Sequence, residues 1–270
     1  RAITMADVTL FLHSTGTTPA LWSGMAAGVA PGMQGLAPAN LGYAPNPPLR
    51  RGTPFTLDDH LRHLTRALDE AAPADTGVHL VAHSYCGLLA LYLAKELGPR
   101  VRSLFLYEPV LFGALLRELE SGRSVDPSAA AEVRLFAEHP WFLTDEARMG
   151  TPEWLETFID YWNRKGSWAR MPDAARAQTE TWGWKMSQEV RAIFTDPRRF
   201  HEHAHPAPTT LLLGGRTTAA SRATTLTLAA TAFPHAALVE LPKAGHMGPL
   251  THPDDVLRTL QEHFARVAPA

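Results

Sequence analysis

Short apolar runs alternate along this chain with longer segments whose apolar residues recur every three or four positions. The first pattern predicts buried strands and the second predicts helices packed on one face. Strands are predicted at residues 8–12, 34–37, 78–82, 101–107, 209–213 and 237–241. Helices are predicted at residues 21–29, 56–73, 87–97, 219–232 and 253–267. Strands that alternate with helices predict an α/β fold, with a mostly parallel sheet covered by helices on both faces.

The alternation of strands and helices is interrupted after Leu111. Residues 112–205 are helix-like and hold six of the seven tryptophans. We therefore predict an α/β core formed by residues 5–111 and 206–270, with residues 112–205 inserted as a helical lid. Aromatic side chains of a lid commonly face an apolar substrate. The candidate substrate-binding residues are Trp162, Trp168, Trp182 and Trp184, together with Met247.

Composition narrows the range of partners. The 270 residues carry a formal net charge of −2, and no block of like charges predicts binding to nucleic acid. No apolar run reaches the roughly 20 residues that a membrane span needs. Because Cys86 is the only cysteine and no secretory signal is visible, we expect a cytoplasmic protein. Residues 1–4, before Met5, are expected to be the remnant of a tag.

Ser84 lies between an apolar strand and an apolar helix. A serine at such a sharp turn has a strained backbone and tolerates only small residues two positions away on either side. These positions hold Ala82 and Cys86, and Gly87 follows. The pattern predicts a nucleophile. The alternative is a serine that only caps the helix.

His246 follows the last predicted strand, in the sequence Ala244-Gly-His-Met-Gly248. Catalytic groups of open α/β sheets gather at the carboxyl ends of the strands, so His246 is predicted to meet Ser84 there. A serine hydroxyl needs a neighbouring imidazole to accept its proton. The alternative is a solvated loop histidine, one of 13 in the chain.

Three motifs in this order resemble the α/β-hydrolase fold superfamily, and the resemblance covers nearly the whole chain outside the insertion. They are residues 13–16 (His-Ser-Thr-Gly), 82–87 (Ala-His-Ser-Tyr-Cys-Gly) and 244–248. The first resembles the family's oxyanion loop, with Ser14 in place of a glycine, and implies that the backbone N–H groups of Thr15 and Tyr85 bind an oxyanion. The resemblance also implies a sheet of about six strands, without the two N-terminal strands of larger members.

The acid of the triad departs from the usual family pattern. The family usually places an aspartate shortly after the next-to-last strand, but residues 215–221 contain no carboxylate. Members that resemble haloalkane dehalogenases place the acid after the strand that follows the nucleophile helix, and here that position is Glu108. Glu108 is therefore the candidate acid. The alternatives are a carboxylate that caps a loop or pairs with an arginine of the insertion. Asp145, Asp160 and Asp254 are weaker substitutes.

The other histidines have simpler interpretations. His13 and His83 are expected to pack and hydrogen-bond locally rather than to act in catalysis. His201, His203 and His205 are expected to form a solvated loop, because no second cluster completes a metal site. We predict neither a metal nor a cofactor.

These residues predict a serine hydrolase that acts on a moderately sized apolar ester, thioester or lactone through an acyl-enzyme. The partner is expected to be a small-molecule substrate, and the oligomeric state stays open. The same triad serves C–C bond hydrolases and acyltransferases. A different interpretation is an inactive hydrolase fold that acts as a small-molecule receptor, since the usual aspartate is missing. The fold alone does not choose between them.

Overall fold

A computed structural model of the chain describes residues 7–26 and 33–267. The described residues form one six-stranded sheet in which all paired strands are parallel, in the order β2-β1-β3-β4-β5-β6. The strands are β1 (Val8–Leu12), β2 (Gln34–Leu36), β3 (Val78–His83), β4 (Val101–Tyr107), β5 (Thr209–Gly214) and β6 (Ala237–Leu241). The predicted remnant at residues 1–4 and the end of the first predicted helix, residues 27–29, lie outside the described residues.

Helices connect and cover these strands. They are α1 (Ser23–Ala26), α2 (Leu57–Ala71), α3 (Tyr85–Leu97), α4 (Phe112–Glu120), α5 (Pro127–Ala137), α6 (Pro152–Trp162), α7 (Ser167–Arg170), α8 (Asp173–Thr195), α9 (Ala219–Ala232), α10 (Gly248–Thr251) and α11 (Pro253–Val267). Short 3-10 helices occur at Pro19–Trp22, Gly98–Arg100 and Phe200–His203. None of the helices that the structure describes is both long and apolar enough to cross a membrane.

Side chains of each central strand alternate between two apolar layers. Leu80 and Ala82 of β3 face one layer, which includes α3, whereas Val81 faces the other, which includes α11. Phe105 and Leu106 of β4 separate in the same way. This alternation follows from the two-residue period of a strand. It explains why the central strands are apolar throughout rather than at every second position.

The predicted fold class is confirmed, with local differences. The first predicted helix begins two residues earlier than predicted, as the 3-10 helix Pro19–Trp22, which has a proline in its first turn and no side-chain cap. Helix α3 begins at Tyr85, two residues earlier than predicted. Helix α10 was not predicted, since its four residues are too few to show a period.

The segment between β4 and β5 contains helices α4 to α8. Its buried residues, among them Phe112, Val133 and Trp154, belong to the same apolar cluster as Leu80 of the sheet. The insertion therefore shares a core with the sheet rather than enclosing a separate one. The domain boundaries at residues 111 and 206 stay a prediction.

The histidine-rich segment differs from the predicted solvated loop. His201 is exposed, but His203 is fully buried, and its ring lies 5.8 Å from that of Tyr92. The segment forms a 3-10 helix rather than an extended chain, so alternate residues point in different directions. Burial lowers the pKa of His203 to about 4, which keeps the ring neutral.

His263 of α11 makes stability depend on pH. Burial lowers its pKa from 6.5 to about 3, while its ring nitrogens hydrogen-bond the Thr210 and Ser103 hydroxyls at 2.8 Å. Between these pH values the unfolded chain binds a proton that the folded chain does not. The free energy of unfolding is therefore expected to fall as the pH drops from about 6.5 towards 3. Urea unfolding of the variant His263→Gln should show a shallower decrease between pH 7 and pH 4.5.

The matched control for His263→Gln is His235→Gln, which replaces an exposed histidine. The control should keep the wild-type dependence of the urea midpoint on pH. An unchanged dependence in His263→Gln would contradict the assignment of the titration to His263.

Candidate active site

Ser84 is held in a strained turn between β3 and α3. Its φ of 59° is positive, a conformation that non-glycine residues rarely adopt. Its backbone N–H donates to the carbonyl of Tyr107 at 3.1 Å, and its carbonyl accepts from Val110 at 3.1 Å. Gly87 is needed here because a Cβ at that position would lie 2.5 Å from Cβ of Pro109. These contacts fix the turn and present the serine side chain at the carboxyl end of the sheet.

His246 lies on the loop after β6, and two buried side chains hold the backbone of that loop. Nε2 of His83 lies 2.8 Å from the carbonyl oxygen of His246, and the Tyr107 hydroxyl donates to the carbonyl of Gly245 at 2.7 Å. Nε2 of His246 is then 2.9 Å from Oγ of Ser84. The histidine and the serine, 162 positions apart in the chain, are thus within hydrogen-bonding distance.

Glu108 follows β4 and completes the hydrogen-bonded chain. Its Oε2 lies 2.6 Å from Nδ1 of His246 and accepts the hydroxyls of Thr217 at 2.6 Å and Ser221 at 2.8 Å. Its Oε1 accepts the N–H of Gly214 at 2.7 Å. Like Ser84, Glu108 has a positive φ, 42°, which the surrounding contacts must sustain.

The hydrogen-bond partners of Glu108 and His246 determine which of their side-chain atoms carry a proton. Burial raises the pKa of Glu108, but the hydrogen bond to His246 and those from the donors Thr217 and Gly214 outweigh burial and leave the pKa below its ordinary value. An ionised carboxylate only accepts hydrogen bonds, so we assign the imidazole proton to Nδ1. Nε2 of His246 is then the nitrogen that can accept the hydroxyl proton of Ser84.

Two backbone amides flank Ser84. Thr15 lies on the loop after β1, and Tyr85 is the first residue of α3. Within the described residues, neither N–H donates to a protein acceptor outside regular helices and strands. The neighbouring amide of Gly16 is engaged instead, since it donates to the hydroxyl of Tyr43 at 3.1 Å. Gly16 has a φ of +69°, which favours glycine.

Two cavities adjoin Ser84, and Trp162 lines both. The inner cavity is small, about 20 Å³, which holds about one water. Its walls are almost entirely apolar: Thr15, Ser84, Val110, Phe112, Phe136, Phe142, Phe158, Tyr161, Trp162, Val190, Ile193 and Phe194. The outer cavity measures about 240 Å³, and its walls include His246, Met247, Met171, Leu250 and residues 14–17.

The Trp162 side chain contacts the candidate base directly. Its ring lies 3.8 Å from the imidazole of His246, at an interplanar angle of 24°. It also stacks on Phe112 at 5.8 Å and lies beside Phe158. Thr15, Ser84, Phe158 and Trp162 line both cavities, so the Trp162 side chain lies where the two cavities adjoin.

Three of the predicted substrate-binding tryptophans lie elsewhere. Trp182 packs edge-on against Tyr43, and Trp184 donates its indole N–H to the carbonyl of Thr53. Trp168 is buried and has Arg176 over its ring. None of the three is among the residues that line the inner or the outer cavity. They sit on faces of α7 and α8 that pack inside the insertion or against the core.

The weaker acid candidates serve local structure. Asp145 accepts the N–H of Ala147, and Asp160 accepts the N–H groups of Gly166 and Trp168. Asp254 lies in the first turn of α11, where the helix dipole favours an acid. None of the three is hydrogen-bonded to His246.

His13 supports the loop after β1, as a locally bonded histidine would. Burial lowers its pKa to about 3, so the ring stays neutral, and its Nε2 accepts the N–H of Asn40 at 2.9 Å. The Asn40 side chain in turn donates to the carbonyl of His13 and to the Cys86 sulfur. Burial raises the pKa of Cys86, which keeps it a thiol.

Several residues at this site were not singled out from the sequence. Thr217 and Ser221 occupy the segment where the usual aspartate is missing, and that absence was a signal that could have drawn attention to them. Tyr43, Lys185 and Glu189 gave no signal in the sequence. Tyr43 lies far along the chain from the other two, and Lys185 and Glu189 lie far from the three motifs. Among the residues that the structure describes, no group of three or more histidine, cysteine, aspartate or glutamate side chains could hold a metal ion.

Comparisons with known proteins identify the family and the fold. The model of the Alpha/beta hydrolase family matches residues 9–259. Among solved structures, wild-type DBJA has a TM-score of 0.69 at 22% identity and covers 98% of this chain and 94% of its own. The enol-lactonase from Burkholderia xenovorans LB400 has a TM-score of 0.65 at 17% identity, with 96% and 92% covered. MenH from S. aureus has a TM-score of 0.64 at 17% identity, with 99% and 97% covered. Among curated proteins, no sequence relative was found.

Proposed function

Because this chain belongs to the alpha/beta hydrolase family, we propose that it is a serine hydrolase that cleaves an ester, thioester or lactone through an acyl-enzyme. The observation that carries the proposal is the hydrogen-bonded chain from Ser84 through His246 to Glu108, with distances of 2.9 and 2.6 Å. A hydroxyl, an imidazole and a carboxylate in this order form the arrangement that activates a serine.

The reaction would proceed in two steps. Oγ of Ser84 attacks the substrate carbonyl while Nε2 of His246 takes the hydroxyl proton, and Glu108 stabilises the imidazolium through Nδ1–H. The amides of Thr15 and Tyr85 bind the oxyanion. His246 then protonates the leaving group, which departs. A water molecule gives a proton to His246 and attacks the acyl-enzyme, and His246 returns that proton to Oγ of Ser84 as the acid is released.

The two cavities suggest how the substrate is oriented. The leaving group must receive a proton from His246, and His246 lines the outer cavity but not the inner one. We therefore place the leaving group in the outer cavity and the apolar acyl group in the inner cavity, where Ser84 and Thr15 meet apolar walls. Residues 112–205 would then act as a lid, since most of the inner walls belong to them.

The sizes of the two cavities also suggest a class of substrate. The small inner cavity favours a short acyl group, and the larger outer cavity favours a moderately sized leaving group. A lactone fits the same chemistry, and one structural neighbour is an enol-lactonase by name. The proposed partner is a small molecule, and the proposed steps use only groups of the chain, the substrate and water. A cytoplasmic location is also proposed, and it rests on the single cysteine.

Three other functions compete with ester hydrolysis. A C–C bond hydrolase or an acyltransferase would use the same triad, and the latter would prefer an alcohol over water as acyl acceptor. An inactive receptor would need no activated serine. The four donors on Glu108 and the strained turn at Ser84 favour catalysis, because a receptor does not require strain at both positions.

The triad makes a direct prediction for turnover. Ser84→Ala should abolish hydrolysis of p-nitrophenyl esters, and Glu108→Gln should reduce kcat by about 1,000- to 10,000-fold, because the imidazole loses the partner that fixes its tautomer. Steady-state kinetics measure both. Asp145→Asn is the matched control, since it removes a carboxylate that is not bonded to His246, and it should retain wild-type kcat.

Labelling with a fluorophosphonate separates the competing functions. Wild-type protein that is labelled at Ser84 but hydrolyses no ester would favour the C–C hydrolase or the transferase. Wild-type protein that is not labelled would contradict the serine hydrolase and favour the receptor.

Trp162 makes a prediction for substrate length. Wild-type protein should prefer p-nitrophenyl esters with short acyl chains, because Trp162 closes the inner cavity. Trp162→Ala should join the two cavities. The ratio of kcat/KM for the octanoate ester to kcat/KM for the acetate ester should then rise by at least about tenfold, which is the lower end of the discrimination that one methylene group gives in an apolar pocket.

The control for Trp162→Ala is Trp141→Ala, a half-buried tryptophan of the same insertion that lines neither cavity. It should leave the chain-length preference unchanged. A wild-type preference for long chains, or an equal shift in both variants, would contradict the placement of the acyl group.

A further inference from the structure

A fully buried ion pair lies beneath the loop that precedes Gly16. Nζ of Lys185 is 2.5 Å from Oε1 of Glu189, one turn apart on α8, and neither side chain is exposed to solvent. A buried ion pair loses the hydration of both charges, and an apolar pair of similar volume is commonly as stable. The stability of α8 alone therefore does not account for this pair.

The pair is connected to the oxyanion loop through Tyr43. The Tyr43 hydroxyl donates its only proton to Oε2 of Glu189 at 2.6 Å and accepts the N–H of Gly16 at 3.1 Å. Burial and the charge of Glu189 raise the pKa of Tyr43, so the hydroxyl stays protonated. Because the proton is committed to Glu189, an oxygen lone pair is left to face Gly16.

Gly16 directly follows Thr15, whose amide is one proposed oxyanion donor. Tyr43 fixes the amide of Gly16 by a hydrogen bond. This bond limits the rotation of the peptide unit that joins Thr15 to Gly16. Met186, the residue after Lys185, closes the other side, since a Cβ on Gly16 would lie 2.9 Å from its Cε. Helix α8 therefore holds the loop by one indirect polar connection, from Glu189 through Tyr43, and by one apolar contact from Met186.

The same ion pair also lies near Tyr85, the residue that bears the second proposed donor. Nζ of Lys185 lies 5.9 Å from the ring centre of Tyr85 and 4.9 Å from that of Tyr43. The Tyr85 hydroxyl lies 3.2 Å from Nδ1 of His60, and that nitrogen is 4.0 Å from Oε1 of Glu189. Gly16, which follows Thr15, and Tyr85 itself thus have polar or aromatic contacts that converge on one ion pair.

We propose that Tyr43, Glu189 and Lys185 are positioning residues of the oxyanion hole. Glu189 orients the Tyr43 hydroxyl, Tyr43 holds the amide of Gly16, and Lys185 supplies the opposite charge for Glu189 while contacting the Tyr85 ring. This inference rests on the proposed function, because it assigns a purpose to the loop that the serine chemistry requires. None of the three residues touches the reacting atoms.

The variant Tyr43→Phe tests the proposal, since it keeps the ring and removes only the hydroxyl. We expect kcat on a p-nitrophenyl ester to fall about 10- to 100-fold, less than the full loss of one oxyanion donor, with KM changed by less than about twofold. The control is Tyr92→Phe, which removes a hydroxyl that donates to the Asp196 carboxylate away from the loop. The control should keep the wild-type kcat. An unchanged kcat in Tyr43→Phe would overturn the proposal.

Amide hydrogen exchange at Gly16 gives a readout that does not depend on activity. The Gly16 amide should exchange at least tenfold faster in Tyr43→Phe than in wild type, and Tyr92→Phe should leave it unchanged. A wild-type Gly16 amide that exchanges as fast as an unprotected one would overturn the proposal, whatever the variants do. If wild type hydrolyses no ester, the proposed function fails, but the exchange of Gly16 still decides whether Tyr43 holds the loop.

The double variant Lys185→Met/Glu189→Leu separates positioning from a purely structural role. It replaces the ion pair by apolar side chains and should fold, yet it should show the reduced kcat and the faster Gly16 exchange of Tyr43→Phe. A folded double variant with wild-type kcat and a protected Gly16 amide would show that the pair is only structural, which would overturn the proposal. This variant also carries the test if Tyr43→Phe does not fold.

Discussion

The carboxylate of Glu108 is a fully buried charge, and much of the site depends on how that charge is satisfied. A buried charge is tolerated only where hydrogen bonds replace its hydration. Glu108 receives four: from the amide that ends β5, from two hydroxyls around the start of α9, and from His246. The same bonds connect β4, β5, α9 and the loop after β6. The acid therefore both fixes the imidazole and ties together the elements that surround it.

The insertion contacts the site at two places, through Trp162 and through helix α8. Trp162 of α6 stacks on the imidazole and lines both of the unequal cavities beside Ser84. Helix α8 extends beneath the oxyanion loop, where it carries the ion pair of Lys185 and Glu189. One inserted segment thus lines the cavities beside Ser84, stacks on His246 and lies against the loop after β1.

Much of the sheet could be predicted because its strands are local apolar runs, and the order of motifs was enough to pair Ser84 with His246. Glu108 could be proposed because the resemblance to the haloalkane dehalogenases implies an acid at this strand end. The donors to Glu108 and the contact of Tyr43 with Glu189, 146 positions apart, could not, because side-chain pairing across the fold leaves no local pattern. For the same reason the tryptophans of the insertion could not be sorted: periodicity predicts a buried face but not which element covers it.

The central claim is that Ser84, activated by His246 and Glu108, carries a covalent acyl group during turnover. Rapid acid quenching of the protein with p-nitrophenyl acetate, followed by mass spectrometry of its peptides, measures this directly. The account predicts one acetyl group on the peptide that contains Ser84, in an amount that approaches one per molecule when deacylation is slow. Release of p-nitrophenol without an acetyl group on Ser84, or with the group on another residue, would contradict it.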